Sequence, residues 1–240
     1  FIDVFEIRIT SPSGEETDRL KPLPSNQFYR LGRTNVFINF SEASTINTDE
    51  EILVFMESEG QFVDPGIWTL TIYGVEVTDG LYNIWGATEE STGGEASFID
   101  PISTTTLTIP ATASSIIGTA AFNPITNQIA AFSGRGFTRV NRVRPNIAAP
   151  GVNIITADNE GGYSMATGTS IASAFVAGGA ALLMEWGIVR GNDPFLYGDR
   201  LIAYLLRNTR RLAVSLQYPN PQWGYGAFCL EDALNNLIGR

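Results

Sequence analysis

The amino-acid sequence predicts an all-β region followed by an incomplete α/β region. The opening stretch FIDVFEIRIT alternates apolar and polar residues from Phe5 to Thr10, which is the period of a half-buried strand. Later in the chain, short continuous apolar runs precede a longer apolar segment of helical length around Ile171–Leu183. Short runs of this kind are typical of strands that helices cover on both faces.

The first region, residues 1–97, is predicted to be a β-sandwich or jelly roll. The stretches NVFINF, EILVFMES and GIWTLTIYG are short, rich in β-branched and aromatic residues, and bounded by turn residues. Strands at this spacing are typical of antiparallel sandwiches. The polar stretch TEESTGGEAS, Thr88–Ser97, is interpreted as a linker or an exposed loop.

The second region, residues 98–240, is predicted to be α/β. The runs SSIIGTAAF, QIAAFS and NIAAPGVNIITA indicate buried strands. Three helices follow. The first has about four turns or more and starts at Ser170, with Gly168 and Thr169 outside it. The second opens at 192–194, and a short third one lies near Leu230–Leu237. These elements are too few for a complete doubly wound domain. Because the chain also opens in mid-strand, we expect it to be a piece of a longer protein that lacks an N-terminal part.

Composition and charge argue against several classes of function. The chain carries 25 acidic and 15 basic residues, a net charge of -10, so no basic stripe is available for nucleic acid. The apolar run Ala172–Trp186 is broken by glycines and by Glu185, and no segment is predicted to reach membrane-spanning length. The single Cys229 excludes an internal disulfide framework. No cofactor is predicted, and no metal site, because no ligand spacing is specific enough.

Ser170, in the turn Gly168-Thr169-Ser170, has two possible roles. Serine is a preferred residue at a helix start, so it could simply cap the helix that follows. The same position lies beside free N–H groups at the positive end of the helix dipole, which suits an acyl-transfer nucleophile. The chain contains no histidine, however, and a serine without a base is only an alcohol.

Four motifs, in the correct order, resemble those of the subtilases. GTSIASAFVAG resembles the nucleophile motif Gly-Thr-Ser-Met-Ala-x-Pro-His-x-x-Gly, with Ala174 in place of the usual Pro and Phe175 in place of a structural His. The other three are IAAFSGRGFT, RPNIAAPGVNI and GYGAFCLEDAL. PGIWTLTIYG and GNDPFLYGDRLIAYLLRNTRRL further resemble the clostridial germination-type subtilases, a branch with a jelly-roll insertion in the protease domain.

The resemblance implies the C-terminal portion of a serine endopeptidase. Ser170 would be the nucleophile, and its backbone N–H would be one oxyanion donor. The residues implied to line the substrate pocket are Thr108, Ile109, Pro110, Gly168 and Thr169, with a cis bond at Ile109–Pro110. Because subtilases run Asp, His, Ser along the chain, the triad Asp and His would precede Phe1, as would the oxyanion Asn.

Other chemistries and function classes stay open. A Ser–Lys dyad would need Lys21, the only lysine, which lies in the β-rich region beside Pro22, and the acids of a Ser–Glu–Asp arrangement would also precede this chain. A pseudoprotease that binds or signals is one alternative. A carbohydrate-binding jelly roll, which needs exposed aromatic residues on one sandwich face, is another.

The partners implied are a polypeptide substrate and the missing N-terminal part of the same protein. A dimer through the open apolar face of the α/β region is also possible. The resemblance further implies a secreted or spore-associated bacterial protein.

Overall fold

The computed structural model describes residues 3–23, 26–43, 49–60, 62–87 and 96–239. The chain divides into two compact units, Phe1–Ala96 and Ser97–Arg240, which we call the β unit and the α/β unit. Most of the predicted linker Thr88–Ser97 lies outside the described residues.

Two antiparallel sheets form the described part of the β unit. β1 (Val4–Thr10) pairs with β5 (Thr69–Glu76), and β2 (Gln27–Leu31), β3 (Thr34–Ser41) and β4 (Glu51–Ser58) form a second sheet in that order. Every second residue of β3 is buried, as the period of a strand requires. The two sheets share one apolar core: Ile7, Ile9, Leu20, Leu31, Val36, Ile38 and Phe40. The described residues of this unit contain no helix, and jelly-roll connectivity stays a prediction.

A row of three phenylalanines crosses the β2–β3–β4 sheet on the side away from this core. Phe28 lies opposite Phe37, which lies opposite Phe55, and the two outer side chains are 62% and 58% exposed. The rings of Phe28 and Phe37 meet edge to face, at 4.9 Å between centroids and 86° between planes. The carbohydrate-binding hypothesis needs exposed aromatic residues of this kind. Carbohydrate binding by this face stays a hypothesis.

The α/β unit is built on a short mixed sheet. β6 (Thr119–Asn123) lies between β7 (Gln128–Ile129), which is antiparallel to it, and β8 (Ile147–Pro150), which is parallel. One face packs on the long helix described below, through Ala121, Ile147, Ala149, Ala172 and Val176. The other face packs on the segment near the C-terminus, through Ala120, Phe122, Ala148, Trp223 and Ala227. The strands predicted in SSIIGTAAF and in the first part of NIAAPGVNIITA are therefore confirmed as buried strands.

Two of the predicted buried runs are only partly strand. The second part of NIAAPGVNIITA becomes β9 (Ile154–Ala157), which forms an exposed hairpin with β10 (Tyr163–Ala166) after the chain leaves the sheet at Pro150. In QIAAFS the strand ends at Ile129, because Ser133 turns inward. Its hydroxyl oxygen accepts a hydrogen bond from the Ala121 N–H at 3.0 Å and so takes the place of a strand partner.

Three α-helices follow the sheet. α1 covers Thr169–Met184, α2 covers Gly198–Arg207, and α3 covers Leu230–Ile238, where a short helix was predicted. The predicted start of α2 at 192–194 is wrong. Asp193 instead closes a turn, in which its carboxylate accepts from the Phe195 N–H at 3.2 Å and its carbonyl from the Leu196 N–H at 3.1 Å.

The helix that contains Ser170 has the predicted length of four turns or more, with 16 residues in α1. After Met184 it continues as a π-helical turn, Glu185–Val189. The whole segment, Thr169–Val189, has 21 residues and is long and apolar enough to cross a membrane by length and composition alone. The prediction that no segment reaches this length is wrong because the helix widens at Glu185 instead of ending there.

α1 has one buried face and one exposed apolar face. Its buried residues are Ala172, Val176, Gly179 and Leu183. Phe175, Leu182 and Val189 are exposed on the rest of the helical segment. A helix that is apolar on nearly all sides is typical of a helix surrounded by protein.

Leu183 and Leu182 form a matched pair that tests this division. In the 240-residue chain, Leu183→Ala should lower the free energy of unfolding by about 2–5 kcal/mol, because the side chain is fully buried in the cluster with Leu196 and Leu205. Leu182→Ala removes a side chain that is 52% exposed and should cost less than about 1 kcal/mol. Denaturant unfolding measures both values, and equal losses would contradict the assigned burial.

Candidate active site

Ser170 is the second residue of α1 and is not its cap. The N-cap is Gly168, which has no side chain that could accept a hydrogen bond from the first turn. Gly168 has φ 159° and ψ 161°, a backbone region that glycine almost alone adopts, and its carbonyl accepts from the Ala172 N–H at 3.3 Å. The helix therefore starts one residue earlier than predicted, and Thr169 lies inside it.

The loop after β8 holds this turn in place. The Gly168 N–H donates to the Gly151 carbonyl at 2.8 Å, and the Asn153 N–H donates to Thr167 Oγ1 at 2.9 Å. Gly151 has no room for a side chain, because an added Cβ would lie 2.8 Å from the Gly168 carbonyl oxygen and 3.2 Å from Ala172 Cβ. The Ala-Pro-Gly of RPNIAAPGVNI and the Gly-Thr-Ser of GTSIASAFVAG are separate in the sequence, and they meet in the fold.

The start of α1 combines an exposed hydroxyl with N–H groups that the helix does not use, which are two features of an acyl-transfer site. Ser170 is exposed, and its hydroxyl has no hydrogen-bond partner within the part of the chain that the structure describes. The N–H groups of the first turn have no acceptor within the helix, and they lie at the positive end of the dipole of a 16-residue helix. The Ser170 N–H can therefore donate to an anionic oxygen that forms next to its own Oγ.

The predicted floor of the substrate pocket is an exposed segment held at both ends. Thr108, Ile109 and Pro110 are exposed, and Ile109 is 86% exposed. The Ile109–Pro110 bond is cis, as the resemblance implied. The Thr106 N–H donates to the Arg135 carbonyl at 2.8 Å.

On the far side of Pro110, the segment is held by the side chain of Arg144. Arg144 Nη2 donates to the Ala113 carbonyl at 2.6 Å. The contacts that place Thr108–Pro110 thus come from the loop 133–146, whereas those that place Gly168–Ser170 come from Gly151 and Asn153.

Asp158 stabilises the hairpin that leads the chain to Ser170. It lies in the turn between β9 and β10, where its carboxylate accepts from the Glu160 N–H at 3.0 Å. This hydrogen bond, together with one from the Ser164 side chain, lowers the pKa of Asp158 below its usual value. The sequence analysis did not single out this residue, although an Asp followed by Gly161 and Gly162 is a signal for a turn.

One group of side chains has the composition of a metal site. Ligand atoms of Cys229, Glu231 and Asp232 lie within 4.8 Å of one another. Arg210 already donates to both carboxylates, at 2.5 Å to Asp232 and 3.1 Å to Glu231, and its hydrogen bonds to Asp232 lower the pKa of that carboxyl. Cys229 Sγ accepts from the Asp232 N–H at 3.4 Å and so caps α3. The cluster is accounted for by an ion pair and a helix cap.

Comparison with known proteins identifies the family. The model of the subtilase family matches residues 46–226, so this chain belongs to the subtilase family. The structure of the CspB protease of Clostridium perfringens superposes with a TM-score of 0.83 and 31% sequence identity, over 99% of this chain and 50% of that chain. The resemblance to clostridial subtilases is therefore confirmed.

Two curated relatives match over shorter stretches. The PII-type proteinase of Lacticaseibacillus paracasei is 46% identical over 56 residues, 23% of this chain and 3% of its own length. The subtilisin-like protease SBT3.10 of Arabidopsis thaliana is 42% identical over 66 residues, 25% of this chain and 9% of its own length. The chain thus spans half of the CspB structure and a small part of these two proteins.

Gly151→Ala should disturb the turn that carries Ser170. The added methyl group would lie 2.7 Å from Ala121 Cβ, and overpacking of this kind costs about 1–3 kcal/mol. The amide of Gly168 should exchange its hydrogen faster in the 240-residue chain, because its bond to the Gly151 carbonyl is pushed open. Denaturant unfolding and hydrogen exchange measure the two effects.

Gly178→Ala is the matched control for this variant. Gly178 lies on the exposed side of α1 with nothing within 4 Å of an added Cβ, so alanine should stabilise the helix by about 0.5–1 kcal/mol. Gly168 exchange should be unchanged. An equally stable Gly151→Ala chain would show that the close approach is not needed.

Proposed function

We propose that this chain is the C-terminal portion of the catalytic domain of a subtilisin-like serine endopeptidase, with Ser170 as its nucleophile. The observation that carries the proposal is the place of Ser170, exposed in the first turn of α1 with its hydroxyl unused by the described residues. Membership of the subtilase family supports it. So does the likeness to CspB, which is named a protease, over nearly the whole of this chain.

In the proposed reaction, Ser170 Oγ attacks the carbonyl carbon of a peptide bond. The carbonyl oxygen becomes an oxyanion and accepts a hydrogen bond from the Ser170 N–H, a donor of a kind worth about 3 kcal/mol in the transition state. The general base takes the proton of Ser170 Oγ during the attack and gives it to the nitrogen of the leaving amine, so that the C–N bond breaks. Water, deprotonated by the same base, then attacks the acyl group and releases it as a carboxylic acid, and the proton returns to Ser170 Oγ. Thr108, Ile109 and Pro110, together with Gly168 and Thr169, would line the pocket for the residue before the cut.

The general base and its carboxylate would come from outside this sequence. The chain has no histidine, and its only lysine lies in the β unit, so the α/β unit contains neither of these bases. The chain matches only half of the CspB structure. We therefore place the triad Asp and His, and the oxyanion Asn, in a preceding part of the same protein, and expect the 240 residues alone to be inactive. A pseudoprotease is not favoured, because the nucleophile is kept in a position suited to its chemistry.

The exposed apolar face of α1 supports the existence of this preceding part. Phe175, Leu182 and Val189 are exposed on a helix that otherwise packs against the sheet. A soluble monomer rarely exposes a large contiguous apolar surface. We infer that the preceding part of the protein covers this face, with dimerisation of the chain as the other way of covering it.

Leu182→Ala distinguishes these two ways of covering the helix. In a longer protein that carries the preceding part, the substitution should cost about 2–5 kcal/mol, as for a buried leucine. In the 240-residue chain the same substitution should be nearly neutral. A chain that sediments as a dimer, and in which Leu182→Ala is costly, would support the dimer instead.

Labelling with a fluorophosphonate, which reacts with activated serines, tests the proposed function. The longer protein should be labelled and should cleave peptides, and Ser170→Ala should abolish labelling and lower kcat by about 10⁴-fold or more. The 240-residue chain should not be labelled, because no base activates Ser170.

Ser173→Ala is the matched control, since Ser173 is exposed one turn further along α1. It should retain labelling and cleavage. Labelling that survives Ser170→Ala, or robust cleavage by the 240-residue chain, would refute the proposed function.

A further inference from the structure

Arg144 is a buried cation without an acidic partner. It is 6% exposed and forms no ion pair with any described residue. Its Nε has no hydrogen-bond partner among these residues either. Burial lowers the pKa of Arg144, since desolvation disfavours the charged form. A buried charge is costly unless strong hydrogen bonds offset the loss of water.

The hydrogen bonds that Arg144 does form converge on one short segment. Nη2 donates to the Ala113 carbonyl at 2.6 Å and to the Ser114 carbonyl at 3.0 Å, about thirty residues earlier in the chain. A further bond, from Nη1 to the Val143 carbonyl at 3.3 Å, is local. The guanidinium thus connects the loop 133–146 to the residues that follow Pro110.

The segment that Arg144 holds is the turn that begins at Pro110. The Ala113 N–H donates to the Pro110 carbonyl at 2.9 Å. Ala113, whose carbonyl Arg144 binds, is therefore directly hydrogen-bonded to the cis proline. Thr108, Ile109 and Pro110 are exposed and gain little from burial. Their conformation therefore depends on the anchor points on either side of them.

We propose that Arg144 is a positioning residue for the substrate pocket: its guanidinium, through the carbonyls of Ala113 and Ser114, fixes the turn whose first residue is the pocket residue Pro110. The inference rests on the proposed function, because the pocket matters only to a peptidase. It assigns to Arg144 a part in selecting the residue before the cut, without contact with the substrate.

The local geometry accounts for an arginine at this position. Nη2 donates to two adjacent carbonyls through its two N–H groups, while Nη1 donates to a third carbonyl, and the planar guanidinium holds these donors in fixed directions. The stem is also closely packed, since an added Cβ on Gly118 would lie 3.2 Å from Arg144 Cδ. Lysine keeps the charge and three donors on one nitrogen, but it lacks the second nitrogen and the fixed donor directions of the guanidinium, and methionine keeps the stem but donates nothing.

The test compares Arg144→Met and Arg144→Lys in the longer, active protein. Two peptides that differ only in the residue before the cut are cleaved, and kcat and KM are measured for each. Arg144→Met should raise KM for the preferred peptide and reduce the ratio of kcat/KM between the peptides about tenfold, because the pocket floor is no longer fixed. Arg144→Lys should change the ratio in the same direction by less. The rate of fluorophosphonate labelling of Ser170 should stay within about twofold for both variants, since the probe does not need the pocket floor.

Arg142→Met is the matched control, because Arg142 is exposed two residues earlier on the same loop. It should leave the peptide ratio unchanged. An unchanged ratio in Arg144→Met and Arg144→Lys would overturn the proposal, as would a loss of labelling parallel to the loss of cleavage.

Hydrogen exchange of the Ala113 amide separates this inference from the proposed function. Arg144→Met should speed this exchange, and Arg142→Met should not, whether or not the protein is a peptidase. A wild-type protein that fails to label Ser170 would count against the proposed function alone. Unchanged Ala113 exchange in Arg144→Met would count against the role of Arg144 alone.

Discussion

The hydrogen bond from the Gly168 N–H to the Gly151 carbonyl fixes the position of Ser170, the proposed nucleophile. It joins the end of β8 to the start of α1, and the 2.8 Å distance is possible only because Gly151 presents no side chain to the turn. Gly168 itself adopts a backbone conformation that suits glycine, so the helix begins at Thr169 and Ser170 lies in its first turn. The orientation of Ser170 and of its N–H group follows from this one contact.

Small side chains make this contact possible and also explain what α1 leaves exposed. Ala121 and Ala149 of the sheet pack against Ala172 and Val176 of the helix. Because these side chains are small, the two backbones approach closely. Gly179 similarly meets the ring of Phe228, which would clash with any side chain there. The same abundance of apolar and small residues continues around the helix to the side that the described residues leave uncovered. The helix is apolar on nearly all sides, but the described residues cover only one of them. This composition also explains why the helix is long and apolar enough to cross a membrane.

The loop 133–146 organises the other half of the candidate site. It starts with the buried Ser133, whose hydroxyl binds the β6 backbone, and ends with Asn146, whose side chain accepts from the Gly118 N–H at 2.8 Å. Between these two points Arg135 and Arg144 bind the segment that carries Pro110. One loop therefore sets both the start of the central strand and the position of the predicted pocket floor.

The sequence by itself determined the features that local patterns encode. Apolar runs located β6 and β8, the Gly-Thr-Ser turn located the start of the Ser170 helix to within one residue, and the order of four motifs identified the family. Only the tertiary structure decided which residue caps α1 and where the helix ends beyond Glu185. It alone also decided that β9 and β10 form an exposed hairpin and that Arg144 donates to the Ala113 carbonyl. The physical reason is range. Periodicity and turn preferences act over a few residues, whereas the contacts from Gly151 to Gly168 and from Arg144 to Ala113 join distant segments whose meeting depends on the packing of the whole unit.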